Sequence, residues 1–280
     1  DYVIASDTDS IYLHMGPLVE AVYKGREKTT EGVVSFLNKV CEVELEPYIE
    51  SSYQELADYV NAYDQKMIMK RENIADRGIW TAKKRYILNV WDSEGVRYEK
   101  AKLKIMGIEA IKTSTPAPCR KYLKDAFSLL MSGTEDEVID YIEQCRQDFK
   151  QLPPEEVAFP RSLSNVEKWK SSSDMYEKGC PIHVRGAILY NHYVKKKNLD
   201  NKYAAIQNGE KIKFCYLKTP NWMHENVISF IQDFPSELDL VKHVDYELQF
   251  NKSFMEPIKV ILDCIGWETE RKNTLESFFA

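Results

Sequence analysis

Two aspartates near the start of the chain, Asp7 and Asp9 in Ser6-Asp7-Thr8-Asp9-Ser10, are the residues whose type and spacing point most directly to chemistry. Carboxylates held close repel each other at neutral pH unless a proton or a cation lies between them. Oxygen-only ligands at this spacing suit Mg²⁺, which takes one or two protein carboxylates and fills its other positions with water and substrate phosphates. If the backbone between them is extended, both side chains point the same way. A solvated acidic turn has the same composition, and the flanking residues do not decide between the two.

Val3-Ile4 before the pair and Ile11-Tyr12-Leu13 after it are β-prone, so the stretch reads as a hairpin with an acidic tip. The short polar residues of the tip can bond their own backbone. From Met67 to Tyr98 the chain again reads as strands. Met67-Ile68-Met69 leads to Glu72, which has Arg71 and Lys70 as nearby partners, and Trp80 to Trp91 alternates as a strand that Asp92-Ser93-Glu94-Gly95 turns back. Within that strand Lys83 and Arg85 share one face, and Lys84 and Tyr86 take the other. Lysines of this kind also deter aggregation at a sheet edge. Lys100, Lys102 and Lys104 alternate, which puts three ammonium groups on one strand face.

At 280 residues and a net charge of −6, the chain is long enough for one large or two smaller domains. Its charge is uneven. Residues 1–65 carry 4 Lys/Arg against 13 Asp/Glu, whereas residues 66–124 carry 15 against 6. A concentrated basic block in an acidic chain suits either a local polyanion contact or a solvated basic face. No run of about 18 apolar residues and no charged-then-apolar leader is present, so neither a membrane span nor a signal peptide is expected. The chain starts with Asp1 in a strand pattern, which suggests a piece of a longer protein. The six cysteines (41, 119, 145, 180, 215 and 264) include no Cys-x-x-Cys pair and read as reduced thiols.

Residues 31–60 have helical spacing, with Pro47 kinking or splitting the helix. Thr113-Ser114-Thr115-Pro116 is a helix start with Ser114 or Thr115 as N-cap, and that helix runs to Ser132-Gly133. Its N-terminus beside Lys112 can hold a phosphate. A second helix, Glu135 to Leu152, is closed by Pro153-Pro154; residues 160–182 read as a long surface loop. Helix 186–196 ends in Lys195-Lys196-Lys197, which either neutralise phosphates or favour their own helix dipole. Residues 211–217 form a strand, and 237–265 are largely helical with a break near Pro257. Cys180 and His183 lack two further ligands for a metal site. Leu275, Phe278 and Phe279 share one face of a helical turn, as in a peptide that docks into a groove.

Asp7-Thr8-Asp9-Ser10 between hydrophobic strands resembles the third palm motif of family B DNA polymerases. Met69-Lys70-Arg71-Glu72, Lys83-Lys84-Arg85-Tyr86-Ile87-Leu88-Asn89-Val90-Trp91 and Lys104-Ile105-Met106-Gly107-Ile108-Glu109 follow in the same order, and together they resemble the polymerases of T-even-type bacteriophages. Ser6 stands where that family usually has glycine. The resemblance implies an α+β fold, an antiparallel palm sheet with packing helices followed by a mainly helical thumb. Residues 1–134 would be the C-terminal part of the palm, 135–268 the thumb and 269–280 a tail that binds a sliding clamp through Leu275, Phe278 and Phe279. Lys272 replaces the glutamine of the cellular clamp peptide.

The activity implied is attack of a primer 3′-hydroxyl on the α-phosphate of a dNTP, assisted by two Mg²⁺ ions. Asp9 would be the bridging catalytic metal ligand, Asp7 a second catalytic and metal-binding carboxylate with a smaller role, and Glu72 an outer carboxylate near the metals. Lys83, Lys84, Arg85, Tyr86 and Lys104 would contact primer–template DNA, Lys112 and Arg185 its phosphates, and His183 would be a hydrogen-bonding partner. The family's other metal-binding aspartate, its nucleotide-gripping lysine and its exonuclease lie upstream of the third motif, and nothing in this chain replaces them. The expectation is an incomplete enzyme, inactive alone and completed by an N-terminal polymerase portion, in the cytoplasm of an infected bacterium. The competing expectation is a non-catalytic, clamp-tethered duplex-DNA-binding module. A metal-dependent nuclease would need more acidic or histidine ligands than the chain has.

Overall fold

The first β-prone runs form the expected hairpin: β1 (Val3–Asp7) and β2 (Ser10–Leu13) are antiparallel, with Asp7 opposite Ser10. The computed structural model describes residues 2–171 and 174–271. It divides into two compact units, at Met106/Gly107. The α+β class is borne out.

In the first unit, α1 (Gly16–Val22) was not foreseen, and α2 (Thr30–Val40) starts at Thr29, whose hydroxyl accepts the Gly32 N–H at 3.1 Å. The expected break at Pro47 takes the form of a five-residue π turn, Cys41–Leu45, before α3 (Glu46–Tyr59), which has the proline in its first turn. A proline has no N–H to donate and its ring crowds the carbonyl four residues back, so the wider turn removes the conflict.

Strands β3 (Asn73–Ala82), β4 (Arg85–Ser93) and β5 (Val96–Met106) form an antiparallel sheet in that order. The single strand expected from Trp80 to Trp91 is therefore two strands. Ala82 pairs with Arg85 across a two-residue turn, and Lys84 occupies the left-handed region at φ 62°. No glycine or asparagine marks this turn, so the alternation reads straight through it.

Residues 67–72 also differ from the expected strand, because β3 begins only at Asn73. Arg71 ties them down instead. Its guanidinium pairs with Asp92 and donates to Asn38 Oδ1 at 2.6 Å, while its backbone N–H donates to Glu46 Oε1 at 3.1 Å. Asp92 is 1% exposed and also meets Arg97 Nε at 3.6 Å and the Gly95 N–H at 3.0 Å.

In the second unit a short turn, Glu109–Ile111, leads to α4 (Ala117–Ser132) and α5 (Glu135–Lys150). The residue preceding α4 is Pro116, with no side-chain cap; neither Ser114 nor Thr115 caps the helix. Thr115 is buried and its N–H donates to the Lys112 carbonyl at 3.1 Å, which takes it out of the capping position. Gly133 ends α4 as expected, and Thr134 with Glu137 forms a capping box for α5. Leu123, Phe127 and Leu130 of α4 are buried, and α4 packs on α5 within the second unit.

After α6 (Pro154–Val157) comes β6 (Phe159–Ser162), inside the stretch expected to be loop. It joins β7 (Lys211–Tyr216) and β8 (Val227–Phe230) in an antiparallel sheet of order β6-β7-β8. Only β7 was legible in the sequence. Helix α7 (Ile182–Lys196) lies so close to β8 at Gly186 that a Cβ there would be 2.9 Å from the Ser229 backbone nitrogen.

The unit closes with α8 (Tyr246–Phe250), a π turn at Asn251–Met255 and α9 (Glu256–Ile265), which gives the break expected near Pro257. All six cysteines are free, and burial pushes the Cys119 and Cys145 thiols up to about 12. No described helix is long and apolar enough to cross a membrane.

Replacing Asp92 with alanine strands Arg71 in a largely buried site, and the expected cost is about 3–5 kcal/mol. Urea unfolding of the full chain would measure it; a loss below ~1 kcal/mol would show that this cluster does not hold the sheet to the helices.

Candidate functional site

The acidic tip is a tight turn. Thr8 is left-handed at φ 53°, the Asp9 N–H donates to the Asp7 carbonyl at 2.6 Å, and Ser10 Oγ donates to the same carbonyl at 3.1 Å. The extended geometry that would aim both aspartates one way is absent. They differ in environment. The Asp7 side chain is 24% exposed, with Lys83 Nζ 3.5 Å from Oδ1 and Lys84 Nζ 3.7 Å from Oδ2. Thr8 Oγ1 donates to Asp7 Oδ1 at 3.2 Å. Asp9 is exposed, and its carboxylate makes no ion pair or hydrogen bond among the described residues.

The turn between β3 and β4 thus brings two ammonium groups to the turn between β1 and β2. Lys83 and Lys84 do not lie on opposite faces of a strand; as turn residues both reach Asp7. Aromatic packing fixes the approach. Tyr12 lies edge-on to Trp80 and to Tyr86, with ring centroids 5.4 Å apart in both pairs. Such pairs add about 0.5–1.5 kcal/mol each beyond their buried area. Tyr86 is 7% exposed and packs with Leu88 and Val90. Burial, followed by the Tyr12 hydroxyl, raises its pKa, so the phenol stays protonated.

On β5 the lysine alternation holds for Lys102 and Lys104. Lys102 pairs in register with Val90, and Lys104 with Leu88, which sets both on the face of the aromatic cluster. Lys102 Nζ lies 4.0 Å from the centre of the Tyr98 ring. Lys104 pairs with Glu72, the partner that replaces the expected Arg71 or Lys70 because Arg71 is bound to Asp92. This pairing, chiefly, holds the Glu72 carboxyl below the ordinary glutamate value. Arg85 opens β4 directly after the lysine turn.

In the second unit, Lys112 pairs with Glu109 at 2.8 Å. His183 is half-buried in the first turn of α7; burial, then the nearby Arg161 charge, lowers its pKa, leaving a neutral ring at pH 7 suited to hydrogen bonding. Arg185 donates to Asn226 Oδ1, lies 3.9 Å from the Glu225 carboxylate and sits over the Tyr176 ring at 5.5 Å. Tyr176 in turn donates to Glu225 Oε1 at 2.6 Å. Sequence reasoning missed Arg161, Tyr176, Glu225 and Asn226, and it had no local signal to find them: the contacts of Tyr176 and Arg185 span 49 and 41 residues. Leu275, Phe278 and Phe279 lie outside the described residues.

The donor set fits a metal only in part. Among the described residues no group of three or more His, Cys, Asp or Glu could hold an ion. Asp7 faces two cations and Glu72 faces one, which leaves Asp9 as the carboxylate at the tip with open coordination. One such ligand suits Mg²⁺, which draws its remaining ligands from water and phosphates.

A depressed glutamate pKa means that the Glu72–Lys104 pair stabilises the fold above the ordinary glutamate value and is lost as pH falls through the depressed one. Glu72→Gln is therefore expected to lower stability at pH 7 by ~0.5 kcal/mol or less, since the pair is exposed. In thermal melts at a series of pH values, the gap to the native chain should close on the acid side; a gap independent of pH would refute the pair.

No family model matches the chain. The DNA-directed DNA polymerase of Enterobacteria phage T4 is 30% identical over 291 aligned residues, covering 100% of this chain and 32% of the phage protein. That of Escherichia phage RB69 is 32% identical over 291, covering 99% and 32%. The chain spans about a third of the length of these relatives. Similarity that runs through all or nearly all of the chain in two such enzymes supports a fragment of a T-even-type phage DNA polymerase.

Proposed function

We propose that this chain works as part of a family B DNA polymerase, with residues 1–134 in the palm, 135–268 as the thumb and 269–280 as the tail that reaches a sliding clamp. The observation that carries the reading is the tip, where Asp9 is bare and exposed while Asp7 faces Lys83 and Lys84. Asp9 is the residue that would hold metal. Bound Mg²⁺, two ions in the complete enzyme, would stabilise the attacking and leaving oxygens as the primer 3′-hydroxyl displaces pyrophosphate from a dNTP.

The chain's own residues do the positioning. Asp7 holds the two lysines beside Asp9, and Tyr86, packed against Tyr12 and Trp80, supports the turn that presents the duplex-facing residues. Lys83, Lys84, Arg85 and Lys104 grip the primer–template duplex near its terminus. Minor-groove acceptors there are nearly alike for every base pair, so such contacts sense correct pairing without reading sequence. Lys112 and Arg185 meet backbone phosphates, and the neutral His183 hydrogen-bonds without adding charge. The remaining catalytic groups come from the upstream portion of the polymerase, in the cytoplasm of an infected bacterium and without a membrane partner.

A second reading, a non-catalytic duplex-binding module, draws on the fact that Asp7 and Glu72 are both already paired with lysine. Asp9→Asn separates the two. In polymerase reconstituted with its upstream portion, with the isolated chain as an inactive blank, the catalytic reading expects primer extension to fall by ~100-fold or more with duplex affinity unchanged. Full activity in the variant would leave only the module.

The duplex contact is read separately. Changing Lys83 and Lys84 to alanine is expected to make the slope of log affinity against log salt shallower by about 2 for a recessed primer–template, one unit for each phosphate that is no longer neutralised. An unchanged slope would move the duplex away from this turn.

A further inference from the structure

Apolar burial differs sharply between the two units. Of the buried apolar residues described, 8 belong to the first unit and 44 to the second; of the large apolar residues left exposed, 14 belong to the first and 5 to the second. The first unit therefore presents surface that a completed core would cover. One run of these exposed residues begins on α3, where Ala57 is the one buried residue. Tyr48, Leu56 and Tyr59 share a face of this helix at helical spacing, and Tyr48 and Tyr59 are 73% and 88% exposed. The chain continues through the fully exposed Tyr63 to Ile68, at 80%. Clustered exposed apolar residues mark interaction surfaces, and aromatic anchors are what interface centres use.

We infer that the face from Tyr48 to Ile68 is an interface, covered by the polypeptide corresponding to the other two thirds of the phage polymerases. This rests on the polymerase reading and adds to it a place of assembly. The relatives carry about twice as much sequence again as the part this chain matches, so an occupant of sufficient size exists in each of them. Charge sets its chemistry. Glu50, Glu55, Asp58 and Asp64 are exposed around the tyrosines, within a stretch of 65 residues that carries 13 acidic and 4 basic side chains. The covering surface must offer an apolar centre rimmed by lysine or arginine. A second copy of the chain would set the same carboxylates against these and is disfavoured.

Nitration by tetranitromethane reads the face directly. Tyr59 and Tyr63 should react readily in the isolated chain and at least tenfold more slowly in T4 polymerase whose matching third is replaced by this chain, with the buried Tyr190 unmodified in both as a folding control. Equal rates in that folded chimera would overturn the inference. Primer extension by the same chimera scores the polymerase reading independently, so extension without protection would discard the interface alone. Sedimentation equilibrium of the isolated chain needs no chimera: a monomer supports the assignment, whereas a dimer abolished by Tyr59→Lys would give the face to a second copy and overturn it.

Discussion

The arrangement depends on one electrostatic constraint, that a carboxylate beside another carboxylate needs a cation. Here the chain supplies its own. Lys83 and Lys84 flank Asp7, so two turns distant in sequence are held tip to tip, and the aromatic contacts of Tyr12 with Trp80 and Tyr86 keep them there. Three features serve that approach: the left-handed Lys84, which lets a two-residue turn carry both ammonium groups; the burial of Tyr86; and the register that sets Lys102 and Lys104 on the same face. The outcome is an asymmetric pair, with Asp7 compensated and Asp9 open. In the proposed polymerase, phosphates that draw Lys83 and Lys84 away would uncover Asp7, so duplex contact and the charge at the tip would be linked.

What the sequence revealed was what depends on neighbouring residues. The acidic hairpin, the breaks at Pro47 and Pro257, the end of α4 at Gly133 and the lysine alternation on β5 each follow from a few consecutive side chains. The turn at Lys83-Lys84 was illegible because it uses no turn residue and leaves the apolar alternation unbroken. Arg71 misled for another reason: its neighbour Glu72 looked like its partner, yet Asp92, far along the chain, outcompetes it by being buried. A buried carboxylate gains more from a guanidinium than an exposed one does. The helix start at Ser114-Thr115 failed similarly, since burial of Thr115 overrides its capping preference.

The two units also contain the same local device in different surroundings. In each, a five-residue π turn precedes a Glu-Pro step, Cys41–Leu45 before Glu46-Pro47 and Asn251–Met255 before Glu256-Pro257. The glutamate N–H bonds five residues back in both, to Cys41 and to Asn251. The residue four before each proline cannot receive its usual bond, and the wider turn meets that need in the same way. In the second unit this turn buries Ser253, Phe254 and Met255; in the first it buries nothing, and Val43 is exposed. Identical backbone chemistry with opposite burial means that the helices of the first unit are not poorly formed. They are fully formed and uncovered, and this is the state expected of a surface built to meet another polypeptide.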